Sequence, residues 1–245
     1  MKAYRREMKR DFVMFKTELH CHSAEVSDCG RLSAKELAER YIESGYTTVV
    51  LTNHLSKYTY KNKRFDHSDW DWNKKIDYFM NGFHLFEDAA RGRLHVILGC
   101  ELRLNRDGGN DYLLQGVTEE LLRSFPDMMD AHLEDVREEL HAVGGLLYQA
   151  HPFRNGIRIT PPVDLDGIEV YNGHFEHDSR NWIASQWAER YGLMRSSGSD
   201  IHTSEHIISG GIETEAPITT REELVAALRS PTLSLLTAPI PNPNH

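Results

Sequence analysis

The sequence predicts an α/β fold, a single domain over residues 1–245 in which strands and helices alternate around a closed barrel. Three observations predict it. Apolar, β-branched runs alternate along the chain with segments that carry helix caps. A length of 245 residues suits a barrel of repeated strand and helix units. Histidines and carboxylates recur just beyond the carboxyl ends of the strands, where a barrel gathers its loops. A hydrophobic share of 40% beside 27% charged residues supplies a sizeable core.

Phe12 to His20 is an apolar-rich strand. Ser33-Ala34-Lys35-Glu36 is a capping box that opens a helix ending near Gly45. Thr47 to Thr52 is the β-branched run of a buried strand, and His54 follows it. The loop from Lys57 to Trp72 interleaves Tyr58, Tyr60, Phe65, His67 and Trp70 with Lys61, Lys63 and Arg64. Such a loop either covers a bound planar or phosphorylated group or packs over the barrel mouth.

A helix from Trp70 to Ala90 stops at Gly92 and leads into the strand His95 to Leu98, which ends at Glu101. Asp111 to Val117 is the next strand. A helix over Met128 to Val143 is closed by Gly144-Gly145 before the strand Leu146 to Ala150, and His151 follows. Gly167 to Tyr171 is a strand, Trp182 to Tyr191 a helix, and a strand from Leu193 leads to Asp200 and His202. The capping box Thr220 to Glu223 opens the last helix, before a final strand near Leu233 to Thr237. This alternation implies a mostly parallel sheet.

The formal charge of −9 disfavours general binding to a nucleic acid, although a local basic pocket is compatible with it. Lys2, Arg5, Arg6, Lys9 and Arg10 read as a solvated terminus. No apolar run is long enough for a signal peptide or a membrane span, so a cytoplasmic protein is expected. Three cysteines without disulfide-like spacing fit a reduced compartment. Cys21 and Cys100 stand beside candidate ligands, and strand alternation turns them into the core.

His20, His22, His54, Glu101, His151, Asp200 and His202 all lie at predicted strand ends. His20 and His22, two apart on a strand, face the same side. Imidazole with carboxylate suits Zn²⁺, Mn²⁺ or iron rather than Ca²⁺ or Mg²⁺. His-x-His alone carries little weight. Five strand ends each offering a ligand type point to a metal centre.

These residues resemble the PHP family, named for polymerase and histidinol phosphatase domains. The likeness runs from Glu18 to about Thr203 through Glu18-Leu19-His20-Cys21-His22-Ser23, Leu51-Thr52-Asn53-His54, Gly99-Cys100-Glu101, Ala150-His151-Pro152 and Gly198-Ser199-Asp200-Ile201-His202. The resemblance implies a distorted seven-stranded β/α barrel of the TIM type, two or three divalent metals (Zn, Mn or Fe) and phosphoester hydrolysis. It implies that His20, His22, Glu101 and Asp200 hold one metal and that Glu101 bridges to a second held by His151. His54 and His202 would hold a third. For the loop ligand after the His-x-His pair, Asp28 is the implied counterpart and Glu25 its rival.

Two departures stand out. Asn53 replaces the family's frequent Asp, which weakens any tuning of the metals there. Thr118 falls at the end of the strand after Glu101, where histidinol phosphatase-like members place a histidine, so the second metal is expected to be poorly held.

Clustered metals lower the pKa of a bound water, so no nucleophilic side chain is required. Arg154, three residues past His151, is the expected phosphate anchor. His174 and His177 either protonate a leaving group or cap the next helix. The expected substrate is a phosphorylated small molecule. Amide hydrolysis of the amidohydrolase type and a non-catalytic, metal-stabilised module are the alternatives.

Overall fold

The computed structural model describes residues 13–63 and 65–239, so Phe12, the basic residues at positions 2 to 10 and Arg64 lie outside it. Its elements in chain order are β1 (Phe15–Glu18), α1 (Ala34–Glu43), β2 (Tyr46–Leu51), β3 (His54–Leu55), α2 (Lys57–Tyr60), α3 (Trp72–Ala90), β4 (His95–Leu98), β5 (Cys100–Leu102) and β6 (Tyr112–Gln115). There follow α4 (Glu119–Ser124), α5 (Leu133–Ala142), β7 (Leu146–Gln149), β8 (Gly167–Asn172), α6 (Asn181–Tyr191), β9 (Met194–Gly198), β10 (Ile212–Thr214), α7 (Arg221–Leu228) and β11 (Ser234–Leu235).

Local chemistry sets most of these boundaries. Ser33 and Thr220 form reciprocal capping boxes with Glu36 and Glu223. Asp71 caps α3 through the Lys74 amide, and the helix ends on Arg91 in the left-handed region. The helix expected over Met128 to Val143 is divided. The Met129 carbonyl accepts from the Asn105 amide at 2.8 Å, Ala131 is extended, and a 3-10 turn over Met128–Asp130 precedes α5.

The expected closed barrel is not what the ladders form. The strands pair into a five-stranded sheet, ordered β11-β10-β1-β2-β4, and a six-stranded sheet, ordered β3-β5-β6-β7-β8-β9. Regular pairing fails where the chain turns aside to present its histidines. Between β1 and β9 there is one isolated parallel bridge, Cys21 to Ile201, and next to it Asp200 has a left-handed backbone (φ 50°). The Asp200 amide still donates to the His20 carbonyl at 3.0 Å.

The sheets are mixed, with five parallel pairings and four antiparallel ones among the described residues. β6 runs antiparallel to both β5 and β7; against β5 this follows from the loop from Arg103 to Asp111, which is shorter than the dozen or so residues that a parallel crossover takes. The reversal brings Asp111 to the end of the sheet where Glu101 lies and sends Thr118 to the other end. There the Thr118 hydroxyl accepts from the Leu121 amide and caps α4, a helix the sequence reading lacks. The doubt that Thr118 cast on the second metal therefore falls away.

The largest apolar cluster joins Ile76, Phe79 and Met80 of α3 to Leu102, Leu114, Leu147 and Ile168 of the six-stranded sheet. Each such side chain contributes about 1.5–3 kcal/mol by burial. Cys100 lies in this cluster and Cys21 in a second one with Leu37 and Tyr41, as alternation predicts. Among the described residues no helix is long and apolar enough to cross a membrane.

Candidate metal centre

His20 and His22 leave β1 on the same side and meet Glu101 from β5 and Asp200 from the turn after β9. The His20 Nε2 lies 3.4 Å from Glu101 Oε1 and 3.5 Å from Asp200 Oδ1. The His22 Nε2 lies 3.2 Å from Glu101 Oε2 and 3.3 Å from the same Asp200 oxygen. All four side chains are buried. Both Nε2 atoms, both Glu101 oxygens and Asp200 Oδ1 make no hydrogen bond of acceptable geometry. Buried polar atoms left without partners are costly, and five that converge on one point fit a cation.

The other ring nitrogens explain the aim. His20 Nδ1 donates to Glu169 Oε1 at 2.8 Å, and Glu169 Oε2 accepts from the His151 amide and from Asn172. The Ser27 hydroxyl donates to Asn53, which leaves its oxygen to accept from His22 Nδ1 at 3.4 Å. His202 Nδ1 donates to the Asp200 carbonyl at 2.9 Å. In each ring the proton is held on Nδ1 and the Nε2 lone pair is left for a metal.

His54 and His151 complete the ring around Glu101, with His54 Nδ1 at 2.9 Å and His151 Nε2 at 3.3 Å from its oxygens. His151 has φ 29°, an unusual value for a side-chain-bearing residue and one that concentrates at functional sites. Among the described residues, four sets of possible ligand atoms lie within metal-binding reach of one another: His20, His22 and Glu101; His22, His54 and His202; His54, Glu101 and Asp111; and His174, His202 and His206.

Without a metal, the cluster is an ion-pair network. Burial works against a charged His20, but Asp200, Glu169 and Glu101 together hold its pKa well above the usual value. His54 is raised in the same way, chiefly by Glu101 against burial, and His202 reaches about 9 through Asp200. Burial likewise opposes ionisation of Glu101 and Asp200, and the imidazoles overcome it.

Of the two loop carboxylates, Glu25 accepts from the Ala34 amide at 2.9 Å and so serves the start of α1. Asp28 lines the cavity above the cluster, as does its neighbour Cys29. Burial raises the Cys29 pKa, but the adjacent His54 and His202 outweigh it and bring the thiol to about 5. Asn53 receives the Ser23 amide and the Ser27 hydroxyl, and thereby shapes this loop.

The cavity, about 650 Å³, has Arg31, Lys61, Lys63, Arg103 and Arg154 in its wall, a local positive rim on an acidic protein. Arg103 holds Asp111 through two bonds, at 2.6 and 2.5 Å, while Arg154 stands 3.7 Å from the same carboxylate. The aromatic loop divides between its two expected roles. Tyr60 is buried under α3, Phe65, His67 and Trp70 stack on one another, and Tyr58, Lys61 and Lys63 face the cavity.

His174 and His177 do not cap α6, whose first turn has no side-chain cap. They stack at 4.3 Å beside the cluster, and burial lowers His174 to about 3 and His177 to about 4. Both are neutral near pH 7, which suits hydrogen bonding better than proton donation.

Sequence reasoning missed Glu169 and Asp111. The signal for Glu169 was a carboxylate inside the apolar run Gly167-Ile168-Glu169-Val170; the signal for Asp111 was Gly108-Gly109, a hairpin turn. Glu169→Ala is expected to weaken metal binding about 10- to 100-fold with the fold retained, measured by competition against a chromophoric chelator. Unchanged affinity would reduce Glu169 to a packing role.

A model of the PHP domain family matches residues 18–214. Among curated proteins none matches the chain. Among solved structures, PsfC from Pseudomonas syringae superposes with a TM-score of 0.65 at 17% identity, over 92% of each chain. An endonuclease Q, bound to a 27-mer duplex with an abasic lesion, superposes with a TM-score of 0.59 at 15% identity, over 91% of this chain and 58% of that one. A two-domain protein from Bacteroides vulgatus containing a predicted PHP-like metal-dependent phosphoesterase gives 0.57 at 18% identity, over 87% of this chain. The present chain spans 63% of that protein's length.

Proposed function

Because the chain belongs to the PHP domain family, we propose that it is a metal-dependent hydrolase of small phosphate esters, a phosphomonoesterase or phosphodiesterase. The observation that supports this best is the convergence of unpartnered, buried imidazole and carboxylate atoms beneath a cationic rim. On this reading His20, His22, Glu101 and Asp200 hold a first metal. Glu101 and His151, with Asp111 beside them, hold a second. His54 and His202 hold a third, with the loop at Asp28 closing it. The chain is then one domain, and its two sheets are a distorted seven-stranded barrel opened along the bridge between Cys21 and Ile201.

Zn²⁺, Mn²⁺ or iron held there would lower the pKa of water towards neutrality and offset charge on the phosphoryl oxygens. The chain's own residues bind and orient. Arg154 offers a planar fork to phosphate, and Asp111 orients it. Glu169 and Ser27 fix the tautomers of His20 and His22. A cavity of about 650 Å³ matches a small molecule, and the net charge of −9 opposes extended contact with a polyanion. Amide hydrolysis fits less well, since the group at the centre of the cluster is Glu101 rather than a lysine.

The test is turnover of p-nitrophenyl phosphate and of its diester by metal-free protein supplied with Mn²⁺, Zn²⁺ or Fe²⁺. Failure to hydrolyse any phosphoester in a metal-dependent way would overturn the proposal. Arg154→Ala is expected to raise KM about tenfold or more, the effect of losing a charge-assisted contact of about 1.5–3 kcal/mol. An unchanged KM would place the phosphate elsewhere.

A further inference from the structure

After β7 the chain makes two tight turns in succession. The Arg154 amide donates to the His151 carbonyl at 3.0 Å, and the Ile157 amide donates to the Arg154 carbonyl at 3.2 Å. Arg154 therefore stands where one turn ends and the next begins. Phe153 meets the Trp187 ring edge-on at 5.8 Å, while Asn155 and Gly156 beyond it are exposed. A loop with so little apolar surface needs polar contacts to keep one shape.

Arg180 supplies them. Its Nη1 donates to the Phe153 carbonyl at 2.5 Å and its Nη2 to Asn155 Oδ1 at 2.6 Å, so one guanidinium grips the residues on either side of Arg154. Arg180 is itself fixed at the start of α6. Its amide donates to Asp178 Oδ1 at 2.9 Å, and its carbonyl accepts from the Ile183 and Ala184 amides at 2.8 and 3.2 Å. A second observation sets it apart: its backbone is left-handed, with φ 48°. For a residue with a side chain that conformation costs free energy, and it concentrates at functional sites. Arg154 lines the cavity above the cluster, whereas Arg180 does not.

We infer that Arg180 is a positioning residue, which holds Arg154 ready for the substrate's phosphate without touching that phosphate. The inference rests on the reading of Arg154 as the phosphate anchor. A planar guanidinium offers N–H groups in a fixed fork, which lets one side chain serve two acceptors that flank a single residue. Lysine, a compact charge on a flexible stem, does not reproduce the fork. With Phe153 and Asn155 held, the Arg154 backbone is fixed and its guanidinium stays beside Asp111, at 3.7 Å. The loop is then ordered by folding rather than by the ligand, which lowers the cost of binding.

The test is a double-mutant cycle on metal-loaded protein, read out by KM for p-nitrophenyl phosphate and by the inhibition constant of inorganic phosphate. Arg180→Ala is expected to raise both about 2- to 10-fold, the cost of ordering one side chain on binding. The change should fall on KM rather than kcat, with metal content by elemental analysis retained, and Arg180→Lys should not restore the wild-type values. In the Arg154→Ala background, replacing Arg180 is expected to add nothing, because the two residues act as one unit. An Arg180 effect of equal size in both backgrounds, full recovery with lysine, loss of metal in Arg180→Ala, or no effect of Arg180→Ala where Arg154→Ala has one would overturn the inference and leave Arg154 as the anchor. If Arg154→Ala itself changes neither constant, the anchor reading falls and the inference falls with it.

Discussion

Glu101→Gln is expected to abolish activity, with kcat/KM falling about 10³-fold or more, equivalent to about 4 kcal/mol, and to strip the protein of most of its metal. The two Glu101 oxygens lie within 3.4 Å of ring nitrogens of His20, His22, His54 and His151. Among the described residues, no other side chain lies this close to four imidazoles of the cluster. Glutamine keeps the size and the packing of β5, where residue 101 pairs through its backbone with His54 and Leu113. It removes the negative charge that four clustered imidazoles, or metals that would replace their protons, require. Elemental analysis beside initial rates checks this, and circular dichroism verifies the fold. A variant that kept both metal and turnover would remove Glu101 from the centre of the site.

Removing the metals is expected to lower the melting temperature by about 10 °C. Free metal at about a thousand times its dissociation constant stabilises by about 4 kcal/mol, and a chain of this size shifts by about 2–4 °C per kcal/mol. The gap should widen as pH rises from 6 to 9. In the metal-free chain the ion pairs of His20, His54 and His202 raise the imidazole pKa values, His202 to about 9. That stabilisation is complete below the ordinary histidine value and is lost as pH climbs through the raised ones. Metal competes with the same protons, so its binding strengthens over the same range. Thermal melts with and without chelator at three pH values measure the gap. A gap that narrows with rising pH would contradict the network described here.

The sequence made the local features legible. Ser33 with Glu36 and Thr220 with Glu223 announce helix starts because the signal lies within four residues, and the β-branched run before His54 announces a buried strand. The gathering of His20, His22, His54, Glu101, His151, Asp200 and His202 could be anticipated, since each follows a strand and strand alternation fixes the side it faces. What depended on the direction of a strand could not. Thr118 was placed at the wrong end because β6 reverses, and Asp111 was overlooked for the same reason. Glu169 became meaningful only through a partner far away in the chain, His20.

The isolated bridge between Cys21 and Ile201 has a mechanical consequence. It is flanked on one side by His20 and His22 and on the other by Asp200 and His202, so a line where the two sheets meet runs through the cluster itself. On the proposed reading, ions shared across that line would act as rivets, and the residues that would hold them are also those that close this joint. Loss of metal would then begin as a local opening along this joint, ahead of any unfolding of the helices packed outside it.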